Sequence, residues 1–341
     1  MSGYMQWLAD KTPGAWWIDS IDPDDVKHAI SLGAKGITTN PYLCARSLQT
    51  KPDYWRKVLD PLRPLPAGSA DDRAREISRR MIVHAAEWIR PVFESSGGRQ
   101  GYICCQINPK LYGDAEAQIK EAIEISRYAS NISVKFPMSR AGLEAMESCM
   151  AEGIAVTATV SFTLAQVIAI AEACERANAK ALSSGTKGGH CNAVIMIGRL
   201  EDYLMFAARD MGKSELCTII PNAGVLVVKK AAEIFKEKKY SAVLLPSGMR
   251  GAHQIEKLAG LRGIFSISPN LVDDLENQNS SQNEKLSEAA DLDLVKRLSE
   301  IKDFRRAYEP DGLEPNEFIG FGSFQQTITQ FIESGWQRIG E

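Results

Sequence analysis

The chain has 341 residues, 44% hydrophobic and 24% charged, with a formal net charge of −3. That content can bury a sizeable core, and the length suits a single α/β barrel, which runs to roughly 250 residues or more as one unit. The charge balance excludes the broad positive field that a nucleic-acid partner demands, and no apolar run reaches membrane-spanning length, so neither nucleic acid nor a membrane is an expected partner.

Residues 1–17 carry Asp10, Lys11 and Pro13 where a secretory signal would be uninterruptedly apolar. The seven cysteines form no C-x-x-C pair and sit mostly in apolar runs, which reads as free thiols in a reducing, cytoplasmic setting.

In chain order, the first strand is expected over residues 15–20. Asp22 then caps a helix with Pro23 at its first position, Val26, Ala29 and Ile30 on one face, and Gly33 past its end. The second strand is expected over 36–40, followed by helical periodicity at 71–95 through Ile77, Met81, Ala85 and Ile89. Further strands are expected at 101–108, 132–137, 155–161, 191–197, 241–247 and 263–268. Helical patterns lie between them at 116–129, 142–153, 164–179, 225–239 and 252–259. Eight strands alternating with helices favour a closed (β/α)8 barrel, although an open doubly wound sheet would give much the same local pattern. The chain reads as one domain, 1–341, in which residues 270–341 form a helical extension. Within it 277–284 is a loop, and 292–301 and 324–336 are helices packed outside the barrel.

In such barrels the active site forms at the C-terminal ends of the strands. Asp19 ends the first strand, Asn40 the second, Gln106 lies late in the third, and Thr157 and Thr159 lie in the fifth. Lys135 is the most informative residue, because a charge inside Ile132-Ser133-Val134-Lys135-Phe136-Pro137 costs desolvation unless it is paired or neutralised. Desolvation favours the neutral form of an amine, which attacks a carbonyl to give an imine. The alternative is an outward lysine whose ammonium reaches water between helices.

Several segments resemble those of transaldolases in order and approximate spacing. They are Asp19 with its following helix, Gly36-Ile37-Thr38-Thr39-Asn40-Pro41, Val134-Lys135-Phe136-Pro137, and Gly153-Ile154 through Thr159-Val160-Ser161-Phe162-Thr163-Leu164-Ala165-Gln166. Gly198-Arg199 and Ser247-Gly248-Met249-Arg250 resemble the places where that family puts two phosphate-binding arginines. The resemblance implies that Lys135 forms a Schiff base with a ketose phosphate and that Asp19 is the general acid/base. It implies that Gln106 and Thr159 orient a water, that Asn40 and Thr157 meet substrate hydroxyls, and that Arg199, Ser247 and Arg250 hold a terminal phosphate. A dihydroxyacetone unit would pass to an aldose phosphate, without metal or cofactor, in a protein that is a homodimer by family analogy.

The sequence departs from the family pattern at Gln106, where many members have glutamate, and at Thr157, where asparagine is usual. Val194 and Gly248 stand where serines are usual. Gln106 resembles the pattern of small fructose-6-phosphate aldolases, so direct aldol cleavage is the alternative reaction. A non-catalytic barrel that binds sugar phosphate is the alternative of another class. His28, His84, His190 and His253 are dispersed without metal-ligand spacing. The glycines and Lys187 of residues 183–190 are expected in a loop near the site.

Overall fold

The computed structural model describes residues 3–59, 68–278 and 280–341. Helix α1 (Tyr4–Lys11) precedes strand β1 (Ala15–Asp19), and α2 (Pro23–Ser31) begins at the Asp22 cap, whose side chain accepts the Asp24 amide. Strand β2 (Gly36–Thr38) leads into α3 (Pro41–Thr50), α4 (Pro52–Leu59) and the long α5 (Ala70–Ser95). Then come β3 (Tyr102–Gln106), α6 (Ala115–Ser126), β4 (Ile132–Pro137), α7 (Arg140–Ala151), β5 (Val156–Thr159) and α8 (Leu164–Ser183). The second half continues with β6 (Cys191–Met196), α9 (Ile197–Asp210), α10 (Ala223–Lys238), β7 (Val243–Ser247), α11 (Ala252–Leu258), β8 (Ile264–Ile267) and α12 (Pro269–Asn277).

The eight parallel strands pair in the order β7-β6-β5-β4-β3-β2-β1-β8, and β7 packs on β8 to complete the ring. Every paired neighbour is also a neighbour in sequence or joins first strand to last. A doubly wound sheet, whose strand order reverses midway, is therefore excluded. The expected (β/α)8 barrel with extra C-terminal helices is what forms.

Period-two alternation explains why these segments become barrel strands. One set of side chains, including Ile18, Ile37, Ile103, Val134, Phe136, Ala158 and Ile195, is apolar and buried, as suits the layer between strands and helices. The alternate set is mostly polar and turns inward: Cys104 Sγ and Ser133 Oγ both reach Thr157 Oγ1, at 3.6 and 2.7 Å, and Asn192 Nδ2 donates to it at 3.1 Å. Asp19, Thr38, Lys135 and Ser247 follow the same inward face two residues beyond Trp17, Gly36, Ser133 and Leu245. Trp17 fills the interior only because its neighbour is Gly36, where a Cβ would collide with the indole.

Several helices were not expected, and α9 shows why. Apolar sequence runs unbroken through Ile195-Met196-Ile197, so Met196 ends β6 and is also the residue before the helix, with no turn residue between. The C-terminal chain holds α13 (Leu292–Leu298), α14 (Lys302–Tyr308), α15 (Gly322–Gln330), a π-helical segment (Phe331–Trp336) and α16 (Gln337–Gly340). Phe324, Ile328, Phe331 and Trp336 are buried. The segment packs on α9, α3 and α5, and Gly335 lies against Pro41 and Tyr42 at the start of α3, just beyond the C-terminal end of β2.

Residues 183–190 correct an expectation. They join α8 to β6, and in a βα barrel every helix returns the chain to the N-terminal end of the next strand. This loop therefore lies at the end opposite the strand C-termini.

Candidate active site

A cavity of about 470 Å³ opens at the C-terminal ends of the strands, lined by Asp19, Asn40, Lys135, Arg199, Ser247 and Arg250 together with Thr38, Met196 and Ser266. Six of the residues singled out in the sequence thus share one space. Gln106, Thr157 and Thr159 are buried and do not form its wall.

Lys135 is 6% exposed, and its Nζ donates to the Thr39 carbonyl at 3.0 Å. Among the described residues no carboxylate lies within ion-pair distance of it. Its Cα partner across the β3–β4 ladder is Gln106, and both atoms of the Gln106 amide are buried without a hydrogen-bond partner. Such an orphaned amide is rare in a folded protein and marks a place where water or a ligand belongs. Thr159 Oγ1, on the next strand beyond Lys135, meets the Met196 sulfur at 4.0 Å.

Asp19 is held by a chain of hydroxyls. Thr38 Oγ1 donates to Asp19 Oδ1 at 2.8 Å and lies 2.6 Å from Ser266 Oγ. Since a hydroxyl has one proton to give, Ser266 supplies the proton of the Thr38–Ser266 contact. Thr38 and Ser266 escaped the reading of the sequence as site residues. Thr38 was visible as the inward-facing member of Gly36-Ile37-Thr38, whereas Ser266 carried no signal beyond its strand.

Asn40 caps α3, its Oδ1 accepting the Leu43 amide at 2.9 Å, so its amide nitrogen is what it can offer the cavity. Thr157 lies below, its hydroxyl occupied by Ser133 and Asn192, the latter continuing to His190 at 2.8 Å. Burial holds His190 below its usual pKa, with the Asn192 hydrogen bond opposing.

The opposite wall carries the two arginines. Gly198 lets the first turn of α9 approach the turn after β7, since a Cβ there would collide with the Gly248 carbonyl. Arg250 pairs with Asp202 at 2.6 Å and bonds the Gly248 carbonyl at 2.7 Å. Arg199 has no carboxylate within ion-pair distance among the described residues, and burial and then Arg250 push its pKa down. It donates to Gln330 Oε1 at 2.6 Å. Helix α9 starts beside it without a side-chain cap, leaving first-turn amides open. Ser247 Oγ is buried without a partner. Two guanidiniums, a helix N-terminus and a spare hydroxyl together make an anion-accepting wall.

Among the described residues no group of three or more histidine, cysteine, aspartate or glutamate side chains is placed to hold a metal. No helix among them is long and apolar enough to cross a membrane. All seven cysteines are free thiols.

The fold and site define a βα-barrel with an interior lysine, a carboxylate and an anion-accepting wall at one mouth. The transaldolase/fructose-6-phosphate aldolase family model matches residues 16–312, and the chain belongs to that family of enzymes. A transaldolase of Thiobacillus denitrificans is 26% identical over 248 residues, covering 69% of this chain and 68% of the relative. A transaldolase of Mycobacterium ulcerans is 24% identical over 233 residues, 65% of this chain and 61% of the relative. A transaldolase of Saccharopolyspora erythraea is 31% identical over 158 residues, 43% of this chain and 42% of the relative. The chain thus matches 61–68% of the length of the first two relatives.

Proposed function

We propose that the protein is a class I aldolase of the transaldolase type, with Lys135 as the amine that holds a ketose-derived fragment. The observation that carries this reading is Lys135 itself, an amine inside the barrel whose hydrogen-bond partner is the Thr39 carbonyl and not a carboxylate. Its neighbour Gln106 has an amide without partners.

In this mechanism Nζ adds to the ketone of a sugar phosphate, and the carbinolamine loses water to give an imine. Asp19 takes the proton of the hydroxyl on the carbon two along from the imine carbon. The bond between the intervening carbon and that carbon breaks, its electron pair passes into the imine as an enamine, and the distal carbons leave as an aldose. The dihydroxyacetone enamine then attacks a second aldose phosphate, Asp19 returns its proton to the new hydroxyl, and water hydrolyses the imine. Gln106 and Thr159 orient the water that relays protons at the imine carbon. Glutamine holds a water but does not itself take up the proton. Arg199, Arg250 and Ser247 receive the terminal phosphate, and Asn40 meets a substrate hydroxyl. Thr157 supports the floor under Lys135.

Gln106 favours a second reading, direct aldol cleavage in which water and not an aldose completes the cycle. The free thiols suit a reducing compartment, and we place the protein in the cytoplasm, as a homodimer by family analogy.

The test is intact-mass spectrometry after borohydride reduction with fructose 6-phosphate, comparing the protein with Lys135→Ala. A Lys135-dependent gain matching a reduced ketose or dihydroxyacetone adduct supports the mechanism, and acceptor assays then separate transfer from cleavage. No gain with a panel of ketose phosphates overturns it in favour of a non-catalytic barrel.

A further inference from the structure

Arg199 is a guanidinium held by the far end of its own chain. Its Nη2 donates to Gln330 Oε1 at 2.6 Å, and its centre lies 5.5 Å from the Phe331 ring centroid. Gln330 is the last residue of α15 and Phe331 the first of the π-helical segment. Adjacent residues of an α-helix point about 100° apart, yet here both reach one side chain, at the place where the helix changes its winding.

The clamp is anchored on both sides. Before it, Phe324 and Ile328 are buried, and Phe324 packs edge-on against Tyr112 with ring centroids 5.8 Å apart. After it, Trp336 Nε1 donates to Asp71 at 3.0 Å and the Gly340 carbonyl accepts from Arg73 at 2.9 Å, tying the end of the chain to α5. Gln330 and Phe331 lie beyond the family match, which ends at residue 312.

The chemistry of the partner matters. A carboxylate in place of Gln330 would neutralise Arg199, as Asp202 does for Arg250. A neutral amide oxygen takes one N–H of the fork, fixes its plane, and leaves the charge and the remaining donors for an incoming anion. A long side chain otherwise loses rotamer freedom on binding, and pre-ordering removes that cost from the binding step.

We propose that Gln330, backed by the Phe331 ring, is a positioning residue that presets Arg199 for a terminal phosphate and so sets the preference for phosphorylated over unphosphorylated sugars. The inference rests on the anion-accepting role of Arg199 proposed above, and the experiment separates the two.

Inorganic phosphate is titrated calorimetrically into the full-length protein and into Arg199→Met, Gln330→Met and Gln330→Glu. Methionine keeps the length and helix propensity of glutamine at this half-buried position, and thermal unfolding verifies that each variant is folded. The expected result is binding to the unaltered protein that Arg199→Met abolishes. Gln330→Met should weaken it about tenfold, the scale of one hydrogen bond to a charged group, and Gln330→Glu should weaken it further. Borohydride trapping then compares fructose 6-phosphate with fructose. The preference for the phosphorylated ketose should fall about tenfold in Gln330→Met, whereas general loosening would lower trapping of both sugars equally. No phosphate binding by the unaltered protein, or binding indifferent to Arg199→Met, overturns the anion wall and this inference with it. Binding lost in Arg199→Met but unchanged in both Gln330 variants overturns this inference alone. If Gln330→Met proves unfolded, Gln330→Glu decides, because an unchanged affinity there would deny Gln330 any hold on Arg199.

Discussion

Glu201 and Gln254 face each other 2.6 Å apart beneath the anion wall, with one carboxylate oxygen accepting the Gln254 amide and the other accepting the Gly224 backbone N–H at 3.0 Å. The Gln254 oxygen in turn accepts the Arg250 backbone N–H at 2.7 Å. Burial pushes Glu201 up to about 8, Asp202 adds to the rise, and the two hydrogen bonds and Arg250 oppose it. A carboxyl raised in the fold keeps its proton where the unfolded chain has lost it. Its contribution to stability is therefore fully present below about 4.5 and is lost as pH rises towards 8. Glu201→Gln removes this titration. Relative to the variant, the unaltered protein should lose roughly 3 kcal/mol of stability between pH 5 and pH 8. Asp25 and Glu121, also raised by burial, and His84 and His190, lowered by it, are common to both proteins and cancel in the difference. Urea unfolding at three pH values measures it, and parallel curves would show that Glu201 does not titrate in this range.

Asp19 and Lys135 should separate in a trapping experiment. Asp19→Asn keeps the shape of the side chain and removes the base, so turnover should fall 10²–10⁴-fold, about the range for losing a positioned acid/base group. Imine formation at Lys135 precedes the step given to Asp19, so borohydride should still trap the ketose. Thr38→Val removes the donor that orients Asp19 and should cost about tenfold in turnover, the value of one hydrogen bond to a charged group. Loss of trapping in Asp19→Asn would instead place Asp19 in imine formation.

The two arginines are not equivalent. Arg250 already has a carboxylate in Asp202, whereas Arg199 has the neutral Gln330. Arg199→Met should therefore raise KM for a phosphorylated ketose about a hundredfold and Arg250→Met about tenfold. Equal effects would mean that Asp202 releases Arg250 when the anion arrives.

How much of this was legible in the sequence differs from element to element. The barrel could be read because eight apolar runs of strand length alternate with helical periodicity, and within one of them Val134 and Phe136 face helices while Ser133 and Lys135 face inward. Asp19 and Asn40 followed from strand ends, since the fold itself puts strand C-termini at one mouth, whereas Arg199 was singled out only by the resemblance to transaldolases. The contact of Arg199 with Gln330 spans 131 residues, and nothing local to either residue announces it. The loop at 183–190 was misplaced because glycines and a lysine look alike at either end of a barrel. Thr157 was expected against substrate, but a short side chain at that height spends its hydroxyl on Ser133 and Asn192.

Gln106 offers the sharpest separation of structure from function. Neither atom of its buried amide has a protein partner among the described residues, and such a group costs about 1–3 kcal/mol unless a water or ligand satisfies it. A side chain selected only for packing would not carry that cost beside Lys135. Gln106→Leu fills nearly the same volume without polar atoms, so the unfolding free energy should be unchanged or higher by about 1 kcal/mol. Turnover should fall at least tenfold, because no group then holds the water at the imine carbon. Gln106→Glu supplies a group that can take up a proton, and it should shift the ratio of aldose transfer to net cleavage towards transfer. Equilibrium unfolding and paired transfer and cleavage assays on the two variants measure these effects. If Gln106→Leu were destabilised by more than about 2 kcal/mol, the amide would be satisfied within the fold and its role would be packing, not catalysis.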